Sequence, residues 1–280
     1  MTMSLPRRSL FPPAVRRASW SRATGFLILV LLPAMPALNA GTVAWWRFDN
    51  DGFAEGRSPT QREDVVRDET GANPGRTTQS PVYTGNVPAA KLNHPAPANK
   101  LSLQMNNPKK WEDVFITKKP VCSLRLPAYT IELSFQCADM AMFRAMFAKD
   151  GKPTESPAPP FVVKLSPRNR RLYVETIDEA GQLRSLSSRA AVETGVWYHL
   201  AVVNDGGQLA LYLKKAGGGA YQLQAKTSAE GGLIDSPGNW VIGRGMSDGK
   251  LADPFYGYVD EIRISDTAIP PADFLAADGR

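Results

Sequence analysis

Cysteine and histidine are nearly absent from this chain of 280 residues, which has two of each. Two histidines without cysteines or carboxylates beside them cannot build a zinc site. Long apolar runs are also missing: the longest, Gly25 to Leu32, falls far short of the roughly 20 residues a membrane-spanning helix needs. There is no Gly-x-Ser-x-Gly, no phosphate loop and no dinucleotide motif, and Gly243-Arg244-Gly245 is too short a turn to cradle phosphate. There is no internal repeat, and no break in composition divides residues 41–280 into two domains. With 43% hydrophobic and 21% charged residues, wholesale disorder, a coiled coil and a multi-span membrane protein are excluded, and the length suffices for a sizeable core without staples. Acidic residues are missing from the first forty positions, where Arg7, Arg8, Arg16, Arg17 and Arg22 supply five of the six net positive charges. The remainder of the chain is close to neutral, so the basic balance belongs to the leader and nucleic acid is not a favoured partner.

That leader has the order of a secretory signal peptide: a basic start, an apolar run, then Pro33, Pro36 and the small-residue stretch Ala37-Leu38-Asn39-Ala40. Residues 1–40 are therefore expected to be a signal peptide, cut after Ala37 or Ala40, and residues 41–280 the mature domain. No cysteine follows the apolar run to mark a lipoprotein. Arg7-Arg8-Ser9-Leu10-Phe11 resembles a twin-arginine export motif. Either route predicts a secreted or periplasmic protein with no stable membrane anchor once the signal is removed. In that oxidising space Cys122 and Cys137, which bracket two adjacent predicted strands, are candidates for a disulfide; two buried free thiols on strands are the alternative.

From Gly41 onward the apolar period is two. In Tyr129-Thr130-Ile131-Glu132-Leu133-Ser134-Phe135 the apolar residues fall on one face and the polar ones on the other. Comparable runs are Val43 to Phe48, Asp113 to Thr117, Phe161 to Leu165, Arg171 to Ile177, Val196 to Val203, Gln208 to Leu213 and Tyr256 to Ile264. Asp150-Gly151, Ala180-Gly181, Asn204-Asp205-Gly206-Gly207 and Gly217-Gly218-Gly219 punctuate them, and 23 Gly with 23 Pro favour turns over long helices. An all-β, two-sheet sandwich follows, with the Pro-rich stretches Thr84 to Asn99 and Thr154 to Pro160 as loops within one domain. One short C-terminal helix is expected after Pro270-Pro271, carrying Phe274 and Leu275. The strand from Trp197 to Val203 is apolar on both faces and should be central. Gly257 allows close approach at a strand start, and the irregular spacing at Asp260-Glu261 hints at a bulge.

Four segments, in order, resemble the laminin-G-like or concanavalin A-like jelly-roll family. They are Val43-Ala44-Trp45-Trp46-Arg47-Phe48-Asp49, Tyr129 to Phe135, Gly195-Val196-Trp197-Tyr198-His199-Leu200-Ala201-Val202-Val203, and Tyr256-Gly257-Tyr258-Val259-Asp260-Glu261-Ile262-Arg263-Ile264. The resemblance implies an antiparallel jelly roll over 41–280. It departs from the family where Lys214-Lys215-Ala216-Gly217 replaces the usual Asp-Gly after a strand. Asp68-Glu69-Thr70-Gly71-Ala72-Asn73 resembles the family's Asp-x-Ser-Gly loop, and Asp260 stands at the acidic position of its Gly-x-x-Asp-Glu strand. The resemblance thus implies one structural calcium site with Asp68 and Asp260 as ligands, since calcium takes six to eight hard oxygens. The alternative is that Asp68 caps a turn and Asp260 bonds backbone amides or an arginine.

A catalytic constellation is not found. Glycan cleavage on this fold needs carboxylates on one strand face, whereas Glu175 and Asp178 alternate onto opposite faces before the turn at Gly181, and Glu63 and Asp64 lie in a loop of mixed charge. His94 falls in a Pro-rich loop and reads as solvated; His199 reads as a packed core residue. Trp45, Trp46 and Trp197 lie within strands and read as core, while Tyr83, Trp111, Tyr221 and Trp240 lie near predicted loops. The chain is expected to be a non-catalytic binding or adhesion module for a glycan or an envelope or extracellular protein. A glycan hydrolase or lyase, and a purely structural envelope protein, are the other readings.

Overall fold

The structure, a computed structural model, describes residues 41–58, 65–78, 81–89, 92–93, 97–107, 111, 113–151 and 156–276. The expected signal segment, His94, Glu63 and Asp64 lie outside the described residues.

Alternation does what the sequence requires of it and builds two antiparallel sheets. The larger has eight strands: β13 (Gln222–Ser228), β12 (Gln208–Lys215), β11 (Trp197–Asn204), β6 (Tyr129–Cys137), β17 (Gly257–Ser265), β4 (Ser102–Met105) and β3 (Val82–Thr84) follow one another, and β1 (Thr42–Trp46) also pairs with β17. One side of β17 is lined by β6 throughout; on the other, β4 flanks Gly257–Val259 and β1 flanks Ile262–Ser265. The second sheet runs β10 (Leu183–Ala191), β9 (Arg171–Ile177), β8 (Phe161–Leu165), β7 (Arg144–Lys149), β14 (Trp240–Ile242), β5 (Asp113–Ile116) and β2 (Arg76–Thr78). A small hairpin, β15 (Gly245–Ser247) with β16 (Lys250–Ala252), packs on β7 and β8. This is an all-β sandwich consistent with a jelly roll. As expected, β11 is central, between β12 and β6.

The core lies between the sheets. Tyr129, Ile131, Leu133 and Phe135 of β6 face Phe147, Phe161 and Trp240 of the second sheet, where Phe147 and Trp240 stack at 5.0 Å. Aromatics of this size each bury roughly 150–250 Å² and dominate the energetics of such a centre.

Two expectations are corrected. Cys122 and Cys137 are free and buried. Their flanking strands are not a hairpin: β5 belongs to the seven-stranded sheet and β6 to the eight-stranded one, and the thiols bond different carbonyls, Ile116 and Asp139. The C-terminal helix is also not seen among the described residues, where only a single 3-10 turn forms at Pro271–Asp273. Phe274 is extended (φ −63°, ψ 152°) because tertiary contacts outbid local propensity: its ring meets Tyr212 and Tyr221 edge-on, and Leu275 N–H donates to Glu132 Oε1 at 2.6 Å.

Candidate functional site

The outer face of the eight-stranded sheet carries residues that alternation turns away from the core. Pairing sets them in rows. Trp197 of β11 stands opposite Gln136 of β6, Gln136 opposite Tyr258 of β17, and Tyr258 opposite Gln104 of β4. Four strands thus contribute one ladder of aromatic, amide, aromatic, amide. The two rings lie 6.2 Å apart and are tilted by 47°. Asn86, from the loop after β3, closes one end: its Oδ1 accepts from Trp197 Nε1 at 3.0 Å and its Nδ2 donates to Gln136 Oε1 at 2.9 Å. Gln104 Nε2 donates to Tyr258 Oη at 3.1 Å. Each glutamine amide spends one group on these bonds, and Gln136 Nε2 and Gln104 Oε1 have no protein partner among the described residues. Trp197 is mostly covered, at 7% exposure, whereas Tyr258, Gln136, Gln104 and Asn86 are half-buried. Gly257 makes the ladder possible. It adopts φ +145°, and a Cβ there would sit 2.1 Å from the Gln136 carbonyl, so only glycine lets β17 approach β6 at this point.

The next rows are closed to solvent. His199 Nδ1 and Ser134 Oγ are 2.7 Å apart, Glu132 is ion-paired with Arg263, and all four side chains are buried. The C-terminal stretch lies over them, with Ile269 N–H donating to Thr130 Oγ1 at 2.8 Å and Lys214 Nζ donating to the Ala276 carbonyl at 2.7 Å. Burial pushes the Glu132 carboxyl up, against the pull of Arg263. Such a pair is costly to break and contributes no accessible acid or base. The core reading of His199 matches its burial, although the ring is on the outer face, and the same holds for Trp45 and Trp197. Trp240 and Tyr83, by contrast, are fully buried in the core.

Asp68 and Asp260 occupy different surroundings. Asp68 Oδ1 accepts from the Trp45 and Thr70 N–H groups at 2.7 and 3.2 Å, and Oδ2 from Asn73 N–H, Asn73 Nδ2 and the Thr70 hydroxyl. Five donors saturate both oxygens and pin the loop to β1. Asp260 Oδ2 accepts from Asn99 Nδ2 at 2.7 Å and Oδ1 from Glu261 N–H at 2.8 Å. Its carboxyl is raised well above the usual range by burial and by the neighbouring Glu261. Here the chain turns left-handed at Glu261 (φ 49°) and the pairing slips between Asp260 and Arg263, which is the bulge the spacing hinted at. The positive charge among these carboxylates is Arg47, which pairs with Asp49 at 2.9 Å and Glu261 at 3.0 Å. The two aspartates share no partner, and among the described residues no group of three His, Cys, Asp or Glu is placed to hold a metal. The expected shared calcium pair does not fit this arrangement.

Nor do the other carboxylates assemble. Glu175 pairs with Lys164 at 2.8 Å on the outer face of the second sheet, while Asp178 is buried and takes up Gln182 N–H, Glu230 N–H and Arg184. The residues that sequence reading missed are Asn86, Gln104, Gln136 and Tyr258. Outward alternation was visible for Gln136, but no local signal tells which strand lies beside it.

Among solved structures, the sandwich is similar to a carbohydrate-binding module, the CBM40 of the Ruminococcus gnavus IT-sialidase bound to α2,3-sialyllactose (17% identity, 64% of this chain and 96% of that one, TM-score 0.50). It is also similar to domain 4 of AbnA, a GH43 extracellular arabinanase from Geobacillus stearothermophilus, in complex with arabinotriose (16%, 84% and 96%, 0.51). A third likeness is to the receptor-binding domain of botulinum neurotoxin type G (10%, 84% and 50%, 0.51). At such identities the likeness shows the fold alone. No curated protein matches the chain in sequence. The sequence model of the concanavalin A-like lectin/glucanases superfamily matches residues 120–273, more than half of the chain and inclusive of β6, β11 and β17, and the chain therefore belongs to that superfamily.

Proposed function

We propose that the chain is an exported, non-catalytic glycan-binding module whose sugar platform is the Trp197–Gln136–Tyr258–Gln104 ladder. The observation that carries this reading is the pairing of two aromatic rings with two amides that each keep a hydrogen-bonding group unspent. The half-buried Tyr258 ring offers its face to the apolar side of a pyranose, the mostly covered Trp197 braces that ring at 6.2 Å, and the unspent amide groups exchange hydrogen bonds with the sugar hydroxyls. The saccharides in complex with the similar modules support the ligand class, and the leader supports export. The burial of Glu132 and Glu261, each paired with an arginine, and of Asp260, hydrogen-bonded to Asn99, supports binding without cleavage. The test is retention on a panel of insoluble polysaccharides with analysis of the supernatant. Wild-type protein is retained and releases no product. Gln136→Ala with Gln104→Ala, which spares the packed tryptophan, and separately Trp197→Ala, lose retention while keeping a folded spectrum. Released oligosaccharide, or undiminished retention of both variants, would overturn the reading.

A further inference from the structure

The far side of the molecule presents a second chemistry. Beyond its leader the chain is nearly neutral, yet three arginines fall within four residues at Arg168-Asn169-Arg170-Arg171, in the turn from β8 to β9. The turn is rigid. Arg170 N–H donates to the Ser166 carbonyl at 3.0 Å, Ser166 N–H to the Arg171 carbonyl at 3.0 Å, Val192 N–H to the Arg170 carbonyl at 2.7 Å, and Arg171 N–H to Asn169 Oδ1 at 3.1 Å. Arg170 holds φ at 55°, the left-handed region that glycine or asparagine occupies at least cost.

Pairing puts these charges beside an aromatic platform. On the outer face of the seven-stranded sheet, Lys164, Tyr173 and Ser187 form one row across β8, β9 and β10, and Glu175 and Ser185 stand side by side in the next. Asn169 Nδ2 donates to Tyr173 Oη at 2.9 Å. Hydrogen bonds from Asn169 and Ser187, then the charges of Arg171 and Arg168, hold the phenol below the usual tyrosine range, and Arg171 precedes Tyr173 by two residues on β9, on the same face of that strand. Arg189 lies where the β9–β10 pairing slips, between Ser187 and Ala191. Arg168, Arg170, Arg171 and Arg189 are all exposed, and among the described residues none is ion-paired. Of the carboxylates nearby among the described residues, Glu175 is paired with Lys164 at 2.8 Å, and Asp253 also feels the charge of that lysine.

We propose that this corner, Arg168, Arg170, Arg171 and Arg189 around Tyr173 and Asn169, is a second binding site, for a polysaccharide carrying repeated sulfate or carboxylate groups. Planar guanidiniums match both oxyanions with paired hydrogen bonds. The half-buried tyrosine ring and the hydroxyls of Ser185 and Ser187 give a sugar ring what a bare row of charges does not. The choice of a polysaccharide among polyanions rests on the glycan-binding reading.

The experiment measures elution of the full chain, signal removed, from columns of heparin, polygalacturonate, neutral dextran and duplex DNA in a salt gradient. Wild-type protein is held by heparin or polygalacturonate, and which of the two holds it longer identifies sulfate or carboxylate as the group read. It passes through dextran at about 0.1 M salt, where charges beyond roughly 10 Å are screened. Arg168→Ala with Arg171→Ala weakens binding by about tenfold or more, summed over several weak exposed contacts. Arg168→Lys with Arg171→Lys recovers only part of it, and Lys226→Ala with Lys250→Ala, which removes the same charge elsewhere, leaves it within about twofold. An equal loss in the lysine control, equal retention on DNA, or no retention on either acidic polysaccharide overturns the proposal. Trp197→Ala separates the two sites: if it abolishes binding of every glycan while the arginine variants bind normally, this corner is wrong and the ladder stands. If no glycan, acidic or neutral, binds the wild type, the glycan reading itself fails.

Discussion

Replacing Gly257 by alanine tests at one atom whether the ladder depends on the close approach of β17 to β6. The new methyl carbon would lie 2.1 Å from the Gln136 carbonyl oxygen, 3.0 Å from Cys137 Cα and 3.1 Å from Ala138 N. An ordinary contact needs about 1 Å more, so the strands must part where Tyr258 faces Gln136. Holding a non-glycine residue at φ +145° costs of order 1–3 kcal/mol. Parting the strands weakens the adjoining ladder bonds at about 1 kcal/mol each. Together these predict a loss of roughly 3–5 kcal/mol, or a fall in Tm of some 6–20 °C for a domain of this size. Gly71→Ala is the control, because Gly71 has φ +77° and nothing within 4 Å of the added atom; it should cost only the left-handed backbone, about 1–2 kcal/mol. Urea unfolding gives both numbers. Glycan retention, measured well below each midpoint, should fall by at least about tenfold for Gly257→Ala and not at all for Gly71→Ala. If the two variants unfold within about 1 kcal/mol of one another and bind alike, the contact does not constrain the ladder and the reasoning is refuted.

Two other substitutions probe groups that hold the sandwich together. Arg244 is buried and reaches Asp113 at 2.9 Å and both Asp150 oxygens at 2.8 Å, so Arg244→Met strands two carboxylates and should cost about 3–5 kcal/mol near neutral pH. Burial already pushes Asp113 up to about 6 against the arginine's pull. Without that pull the folded pKa rises further, so the native state keeps a proton that the unfolded chain has lost, and the deficit should shrink as pH falls from 7 toward 4; a deficit equal at both ends in urea titrations would contradict this. Asp68→Ala should cost about 3 kcal/mol by freeing the buried N–H groups of Trp45 and Asn73, and the loss should be the same with chelator as with millimolar calcium, whereas a loss seen only with calcium would restore Asp68 as a ligand.

Legibility in the sequence followed how evenly each strand is covered. All eight runs of period two became strands, and β8 and β9 have the expected ends, because one face meets the core and the other does not. β7 was unreadable for the opposite reason: Arg144–Lys149 is buried on both faces, since the β15–β16 hairpin sits over Ala145 and Val162, so closely that a Cβ added to Gly245 would lie 3.0 Å from the alanine methyl. A stretch covered twice loses its alternation. β10, rich in serine at the sheet edge, and the three-residue β14 carry too few apolar positions to register. The bulge at Glu261 and the role of Gly257 were legible because both break a pattern locally. Trp45 and Trp197 are buried, as a core reading requires, yet they lie outside the central apolar cluster, because burial and core membership differ where loops roof the outer face. The ladder could not be found at all: Gln136 points outward by its own alternation, but that Tyr258 stands next to it is a property of pairing over more than a hundred residues.

The position of β17 has a bearing on how the domain comes into being. This strand lies between β6 on one side and β4 with β1 on the other, yet it is the last of the strands in the chain. Until β17 is made, the eight-stranded sheet exists only as three unjoined pieces, β13–β12–β11–β6, β4–β3 and β1 alone, and the strand that joins them is the last of those described. Contacts so far apart in sequence make folding slow. A nascent chain of this topology stays unlocked until β17 is made, and throughout that interval its open edges invite pairing with other chains.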